Sequence, residues 1–259
     1  MIHAKQISYT SNQRKLIDKV SIDLHPGEFI AIIGPNGAGK STLLSLLSNE
    51  IEGKEAQEIT LKDQKYTTWN LQKLAQHKAK FSQSQQHEIP LIVEEVVRMG
   101  RYPYYQQQPL KNDHHIVTEM LSLLEIESLA KRPYNQLSGG EKQRVHLARV
   151  LAQLQNDHVN KTIILDEPLN NLDVAHQFKI LNLLKNYATQ GNVVLMVLHD
   201  INLAGTFADK ILLLKNGKCL GFDKPQHILT SEIISDAYEF PCVVCSNPIT
   251  NLPLILFGN

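Results

Sequence analysis

Short runs of almost continuous apolar residues recur along the chain and alternate with helical patterns. These runs occupy residues 29–33, 162–165, 193–198 and 211–214. Apolar strands without an inside–outside alternation are typical of a parallel sheet that is covered on both faces. The pattern therefore predicts an α/β domain built on a parallel sheet.

The stretch from about residue 89 to residue 153 shows a different pattern. Its apolar residues recur at the spacing of a helix, as in Val93, Val96 and Val97. We identify no strand pattern in this stretch. A mostly helical insertion within the α/β core is therefore expected.

The composition is that of a globular protein. The chain has 259 residues, of which 42% are hydrophobic and 20% are charged. Its 26 Lys and Arg residues balance 26 Asp and Glu residues. Because a neutral chain lacks the positive field of a duplex-binding protein, we expect no nucleic-acid partner.

Several features favour a protein of the reducing cytoplasm. No apolar run approaches the roughly 20 residues needed to cross a bilayer, so we expect no membrane span. The first residues lack the basic and then apolar pattern of a secretory signal. Three cysteines, Cys219, Cys242 and Cys245, are too few for a disulfide framework.

A glycine-rich loop follows the first predicted strand and precedes the helical run STLLSLLS. It matches the phosphate-loop pattern GxxxxGK[ST] in its strand–loop–helix context. Its backbone N–H groups can surround a phosphate, Lys40 can reach the β and γ oxygens, and the Ser41 hydroxyl can bind Mg²⁺. The expected nucleotide-binding residues are Gly34, Pro35, Asn36, Gly37, Ala38, Gly39, Lys40, Ser41 and Thr42.

Two acids, Asp166 and Glu167, end the apolar run at residues 162–165. The carboxyl ends of parallel strands line the ligand crevice of such a sheet, so both side chains should face the phosphates. We expect Asp166 to help hold Mg²⁺ and Glu167 to polarise the attacking water. A solvated acidic pair at a strand end is the plainer alternative.

The run LSGGEKQR predicts a helix start at Ser138. Ser138 and Glu141 have the spacing of a capping box, and Gly139 and Gly140 expose backbone N–H groups at a positive helix end. This predicts a second anion site. The pattern S-x-x-E alone is common, so an ordinary capped helix is the alternative.

Together with the phosphate loop, LSGGEKQR resembles the marker of the ATP-binding cassette (ABC) family, and the resemblance spans about residues 2–238. It implies a P-loop NTPase with a RecA-like core at about 2–83 and 156–240, a helical insertion at about 84–155, and a C-terminal tail at 241–259. In that family the marker contacts the γ-phosphate held by the other copy. The resemblance therefore implies a head-to-tail homodimer that binds ATP and Mg²⁺.

Four further residues match family elements one by one. Tyr9 resembles the aromatic residue that stacks on adenine, although a strand aromatic is the alternative. Gln83 resembles the glutamine that touches Mg²⁺ and the membrane partner, with Gln85 and Gln86 as nearby rivals.

The two remaining matches lie beyond the acidic pair. Asp173 ends NNLD, where the family usually has SALD, so Asn170 and Asn171 depart from the usual small residues. His199 resembles the histidine that senses the γ-phosphate, whereas a lone histidine after a strand is usually structural.

Within the family, IVEEVVRMGRYPYY, LHDINLA and YNQLSGGEKQRV resemble importer ATPases that serve haem, ferric siderophores or cobalamin. The similarity is greatest to the haemin-import ATPases. It implies a peripheral subunit at the cytoplasmic face of the inner membrane, bound to a permease dimer that a substrate-binding protein supplies. A soluble ATPase scaffold of iron–sulfur assembly and a nucleotide-binding regulator without turnover remain alternatives.

Three other features are assigned to structure rather than chemistry. Cys242 and Cys245 would point to opposite faces of a strand, which makes a shared metal awkward. The eleven histidines suit a polar surface better than haem ligation. The aromatic run that begins at Arg101 is expected to face a protein partner or to be structural.

Overall fold

A computed structural model describes residues 2–51, 58–82, 90–105 and 111–258. The strands are β1 (Ile2–Ser11), β2 (Arg14–Leu24), β3 (Phe29–Ile33), β4 (Glu58–Leu61), β5 (Gln64–Lys65), β6 (Lys78–Phe81), β7 (Thr162–Asp166), β8 (Val193–Val197), β9 (Lys210–Lys215), β10 (Lys218–Asp223), β11 (Cys242–Ser246) and β12 (Pro253–Phe257). The α-helices are α1 (Lys40–Leu47), α2 (Leu71–His77), α3 (Val93–Arg98), α4 (Lys111–Leu123), α5 (Gly139–Leu154), α6 (Val174–Thr189), α7 (Ile201–Phe207), α8 (Pro225–Ile228) and α9 (Ser231–Tyr238).

The central sheet has six strands in the order β10-β9-β3-β8-β7-β6. The five strands from β9 to β6 are parallel, and β10 pairs antiparallel at the edge. Every residue of β3, β7 and β8 is buried, as expected for strands covered on both faces. The predicted α/β fold with a parallel sheet is confirmed.

Alternate residues of β3 face two different hydrophobic cores because successive side chains of a strand point to opposite faces. Phe29 and Ala31 pack with the helices α3 to α6. Ile30 and Ile32 pack with α1 and with a second, antiparallel sheet of order β2-β1-β4-β5. The central sheet is therefore held between a helical layer and a layer that combines α1 with the second sheet.

The stretch predicted as a helical insertion contains α3, α4 and α5, together with short 3-10 turns. A buried ion pair fastens it: Arg101 Nε donates to Asp113 Oδ1 at 2.8 Å, and Arg101 Nη1 donates to the carbonyl of Ala152 at 2.6 Å. Arg101 is therefore structural, whereas Tyr102 beside it is exposed. The domain bounds themselves remain a prediction.

The C-terminal residues form a hairpin of β11 and β12. Cys242 is buried and Cys245 is exposed, so the two thiols lie on opposite sides of β11. Within the described ranges, no cluster of three His, Cys, Asp or Glu side chains could hold a metal ion. No helix in the same ranges is long and apolar enough to span a membrane.

Candidate functional site

The glycine-rich loop connects β3 to α1, which begins at Lys40. Two of its glycines are required by the close approach of other backbone segments. A Cβ atom on Gly34 would lie 2.1 Å from the carbonyl oxygen of Leu214, and one on Gly39 would lie 2.6 Å from that of Leu16. Both glycines also have positive φ, at 146° and 102°, which disfavours other residues.

The Lys40 ammonium lies inside this loop, with only 6% of the residue exposed. It donates to the carbonyl oxygens of Gly34 at 2.8 Å and Pro35 at 3.1 Å. Burial lowers the pKa of Lys40, and the carboxylates of Glu167 and Asp166 oppose that shift. The loop therefore holds a cation beside two acids.

A cavity of about 280 Å³ opens over the loop. It is lined by Arg14, Leu16, Asn36, Gly37, Gly39, Lys40, Ser41, Thr42 and Glu167. Arg14 and Leu16 carry no motif that predicts them, because they come from the start of β2. Tyr9 is absent from this lining: it lies half-buried in β1, opposite Ile17, and its adenine contact remains a prediction.

Asp166 ends β7 and meets the first turn of α1. The Ser41 hydroxyl donates to Asp166 Oδ1 at 3.2 Å. Burial raises the pKa of Asp166, and the bond from Ser41 opposes the shift. A hydroxyl and a carboxylate at this distance form an oxygen donor set of the kind that Mg²⁺ prefers.

Glu167 has both carboxylate oxygens engaged. Its Oε1 lies 2.6 Å from His199 Nε2, and its Oε2 accepts a hydrogen bond from Asn170 Nδ2 at 2.9 Å. The backbone of Glu167 is left-handed, with φ 51°, a conformation that non-glycine residues adopt mainly where function or packing demands it. Glu167 is also one of the residues that line the cavity over the loop.

His199 follows β8, the strand beside β7 in the sheet. Its side chain is 48% exposed, so burial does not fix the ring. The next residue, Asp200, caps α7 by accepting hydrogen bonds from the N–H groups of Asn202 and Leu203. His199 therefore lies in the turn between β8 and α7, directly before the residue that caps α7.

The predicted capping box at Ser138 is present. Ser138 Oγ accepts from the Glu141 N–H at 3.3 Å, and Glu141 Oε2 accepts from the Ser138 N–H at 2.7 Å. A Cβ atom on Gly140 would lie 2.8 Å from the carbonyl oxygen of Asn171. Glycine therefore lets the first turn of α5 approach the backbone of Asn171 closely. In the sequence, Asn171 is recognisable only as a departure from the family pattern.

Asp173 caps α6, since its Oδ1 accepts from the His176 N–H at 2.8 Å. Its nucleotide contact stays a prediction. Gln83 and its rivals Gln85 and Gln86 lie outside the described residues. The structure thus brings together the phosphate loop, Asp166, Glu167 and His199 at the carboxyl ends of neighbouring parallel strands.

The fold and this site define the chain as a P-loop ATPase, and sequence comparison gives its family. The profile of the family described as "ABC transporter" matches residues 17–170. The chain belongs to the ABC transporter family and is an ATP-binding, ATP-hydrolysing member of it.

Three similar proteins illustrate this membership. "Hemin import ATP-binding protein HmuV" of Pseudomonas fluorescens (strain Pf0-1) is 39% identical over 99% of both chains. The protein of the same name from Escherichia coli O157:H7 is 37% identical over 100% of both chains. A dimeric ATP-binding cassette, solved in a post-hydrolysis state with ADP and Pi, is 30% identical with a TM-score of 0.76, covering 86% of this chain and 98% of that one.

Proposed function

We propose that this chain is the ATP-hydrolysing subunit of a haem importer. The observation that supports the cargo is the similarity, along the whole chain, to relatives named for hemin import. The ATPase chemistry is supported by Glu167 and His199, which meet at 2.6 Å beside the phosphate loop. Ferric siderophores and cobalamin are the alternative cargoes.

In this proposal the phosphate loop binds the ATP phosphates, with Lys40 as the cation that neutralises the β and γ oxygens. Ser41 and Asp166 would hold Mg²⁺, because their oxygens converge at 3.2 Å at the foot of the loop. The ion would supply charge neutralisation for the phosphates. Gln83 is proposed as a further Mg²⁺ ligand. Tyr9 is proposed to stack on the adenine ring.

Hydrolysis then depends on Glu167. Its carboxylate accepts a proton from the attacking water, the water oxygen bonds to the γ-phosphorus, and the bond to ADP breaks. His199 and Asn170 fix the two carboxylate oxygens, so Glu167 is held ready before water arrives. Preorganisation of this kind lowers the cost of reaching the transition state.

The proposed working unit is a homodimer in which the Ser138, Gly139 and Gly140 loop and Asp173 of one copy complete the ATP site of the other. The dimeric relative supports this arrangement. ATP favours the closed dimer and hydrolysis reopens it, which shifts the conformation of an attached permease dimer. This places the chain at the cytoplasmic face of the cell membrane, with a substrate-binding protein on the other side.

The test is reconstitution of the chain with its permease in lipid vesicles, with haem, a ferric siderophore or cobalamin each loaded on its binding protein. The proposal predicts ATP turnover and uptake with haem. Transport of a siderophore or cobalamin but not of haem would refute the cargo. Co-purification with soluble iron–sulfur assembly proteins, and never with a membrane protein, would refute the importer.

A further inference from the structure

The C-terminal hairpin is fastened to the helix that follows His199. Asn202, in the first turn of α7, donates from Nδ2 to the carbonyl oxygen of Ile255 at 3.1 Å. Its Oδ1 accepts from the N–H of the same residue at 2.8 Å. One side chain thus satisfies both backbone groups of a single residue in β12, 53 positions away.

Asparagine is suited to this task because its side-chain amide carries a donor and an acceptor side by side, like a peptide group. It acts as a one-residue strand partner on the outer edge of β12. The opposite edge of β12 pairs with β11, where Val244 is opposite Ile255. Ile255 is 3% exposed, so these backbone groups would lack partners without Asn202 or water.

The same residue is tied to the backbone that carries His199. The Asn202 N–H donates to Asp200 Oδ1 at 2.8 Å, and Asp200 is the residue after His199. The path from the hairpin to the ring is therefore Ile255, Asn202, Asp200 and His199. The first two links are hydrogen bonds, and the last is the peptide bond between Asp200 and His199.

The hairpin is itself anchored, so it can serve as a fixed support. Ser231 and Ser235 of α9 accept from the backbone N–H groups of Val244 and Cys242, at 2.9 and 3.0 Å. The Tyr238 ring at the end of α9 packs against Phe257, with 5.9 Å between centroids.

Tyr238 also links this support to the phosphate loop. Burial raises the pKa of Tyr238 to about 12, and a hydrogen bond from the backbone of Gly34 opposes the shift. The end of α9 thus lies beside the first residue of the phosphate loop, and the hairpin that α9 anchors contacts the start of α7.

We propose that Asn202 is a positioning residue for ATP hydrolysis: by clamping Ile255 of the C-terminal hairpin, it holds the start of α7 so that His199 stays against Glu167. The His199 side chain is 48% exposed, so the backbone that carries it helps to set its distance from Glu167. Small displacements of a catalytic group cost large factors in rate. This inference rests on the proposed ATPase site and is independent of the cargo.

The test is a double-mutant cycle on ATP turnover by the full chain with its permease. Asn202→Ala is expected to lower kcat about tenfold at unchanged ATP affinity, because the phosphate loop is untouched. In a His199→Ala background, Asn202→Ala should not lower kcat further, because the effect of Asn202 on kcat acts through His199. Thr206→Ala is the matched control, because Thr206 is exposed on the same helix and bonds only to the Asn202 carbonyl among the described contacts.

An equal loss in both backgrounds would show a general structural role and overturn the proposal, as would wild-type kcat in Asn202→Ala. If Asn202→Ala does not fold, Asn202→Asp keeps the acceptor for the Ile255 N–H and should show the same dependence on His199. Absence of turnover in the wild-type chain with permease would instead contradict the proposed function. The two failures are therefore distinguishable.

Discussion

Asn170 donates its side-chain amide to Glu167 Oε2 at 2.9 Å, three residues after the acid. The sequence marks Asn170 as a departure from the small residues usual in this family. In this chain the departure supplies a neutral donor to the oxygen that His199 does not contact. The Glu167 carboxylate is therefore oriented from two sides by residues of two different loops.

Removal of this donor should weaken hydrolysis without affecting nucleotide binding. Asn170→Ala leaves the phosphate loop intact but frees one carboxylate oxygen, and a hydrogen bond to a charged group is worth about 1.5 kcal/mol or more. We expect kcat to fall about tenfold, with ATP affinity unchanged. Steady-state turnover and titration calorimetry measure the two quantities. The control is Asn182→Ala, on the exposed face of α6, which should change neither kcat nor ATP affinity. A wild-type kcat in Asn170→Ala would mean that His199 alone orients the Glu167 carboxylate.

Unlike Asn170→Ala, which should leave ATP affinity unchanged, Lys40→Ala should weaken ATP binding itself. The ammonium is buried among carbonyl oxygens of the loop, and its loss leaves those oxygens and the incoming phosphates without a cation. ATP affinity, measured by calorimetry, should fall by at least about tenfold, which corresponds to about 1.4 kcal/mol. The exposed Lys73→Ala is the control. Equal affinities in the two variants would contradict the assigned role.

The mixing of two inactive variants tests whether ATP sites are shared between copies. Ser138→Ala should leave ATP binding by the monomer intact and abolish turnover. When it is mixed with Lys40→Ala, each heterodimer has one site with both lesions and one with neither, so partial activity should return. If mixed dimers are detected by mass but no mixing ratio restores turnover, composite sites of which one suffices for turnover are contradicted.

Acid stability should depend on His146, a residue of α5 that lies outside the proposed site. Burial, with Arg149 and Lys142 nearby, lowers the pKa of His146 to about 4. An unfolded histidine binds a proton below about pH 6.5. The folded state thus disfavours protonation, and His146 contributes stability that is present above pH 6.5 and is lost as the pH falls towards 4.

Urea unfolding as a function of pH measures this contribution. Between about pH 5 and pH 6, wild type should bind nearly one more proton on unfolding than His146→Gln does. Its free energy of unfolding should therefore rise more steeply with pH, by at most about 1.4 kcal/mol per pH unit. His115→Gln, on the exposed face of α4, should keep the wild-type slope. Identical slopes in all three proteins would show that His146 titrates normally in the folded chain.

The parallel sheet could be predicted because its strands are buried on both faces and appear as apolar runs, as in β3 and β8. The second sheet gives no such signal. Its strand β1 alternates irregularly, with register shifts between Ala4 and Ile7 and again around Tyr9, so no two-residue period marks it. The same irregularity leaves the local environment of Tyr9 unpredictable from the sequence.

Within the site, most residues that sequence could predict lie in contiguous motifs, and His199, matched singly to the family, is the exception. The phosphate loop and the acidic pair are of this kind, because the chemistry needs adjacent residues at fixed spacing. Asn202 and Arg14 could not be predicted. Their contacts, to Ile255 and to the loop cavity, are set by tertiary packing between segments far apart in the chain.

The most direct test of the account is Glu167→Gln, because Glu167 is assigned the step that separates ATP binding from hydrolysis. Glutamine keeps the size of the side chain but cannot accept the proton from water. At saturating Mg-ATP, turnover should fall by about a hundredfold or more, and light scattering should show a stable ATP-bound dimer. Turnover near the wild-type rate, or a chain that stays monomeric under these conditions, would contradict the account.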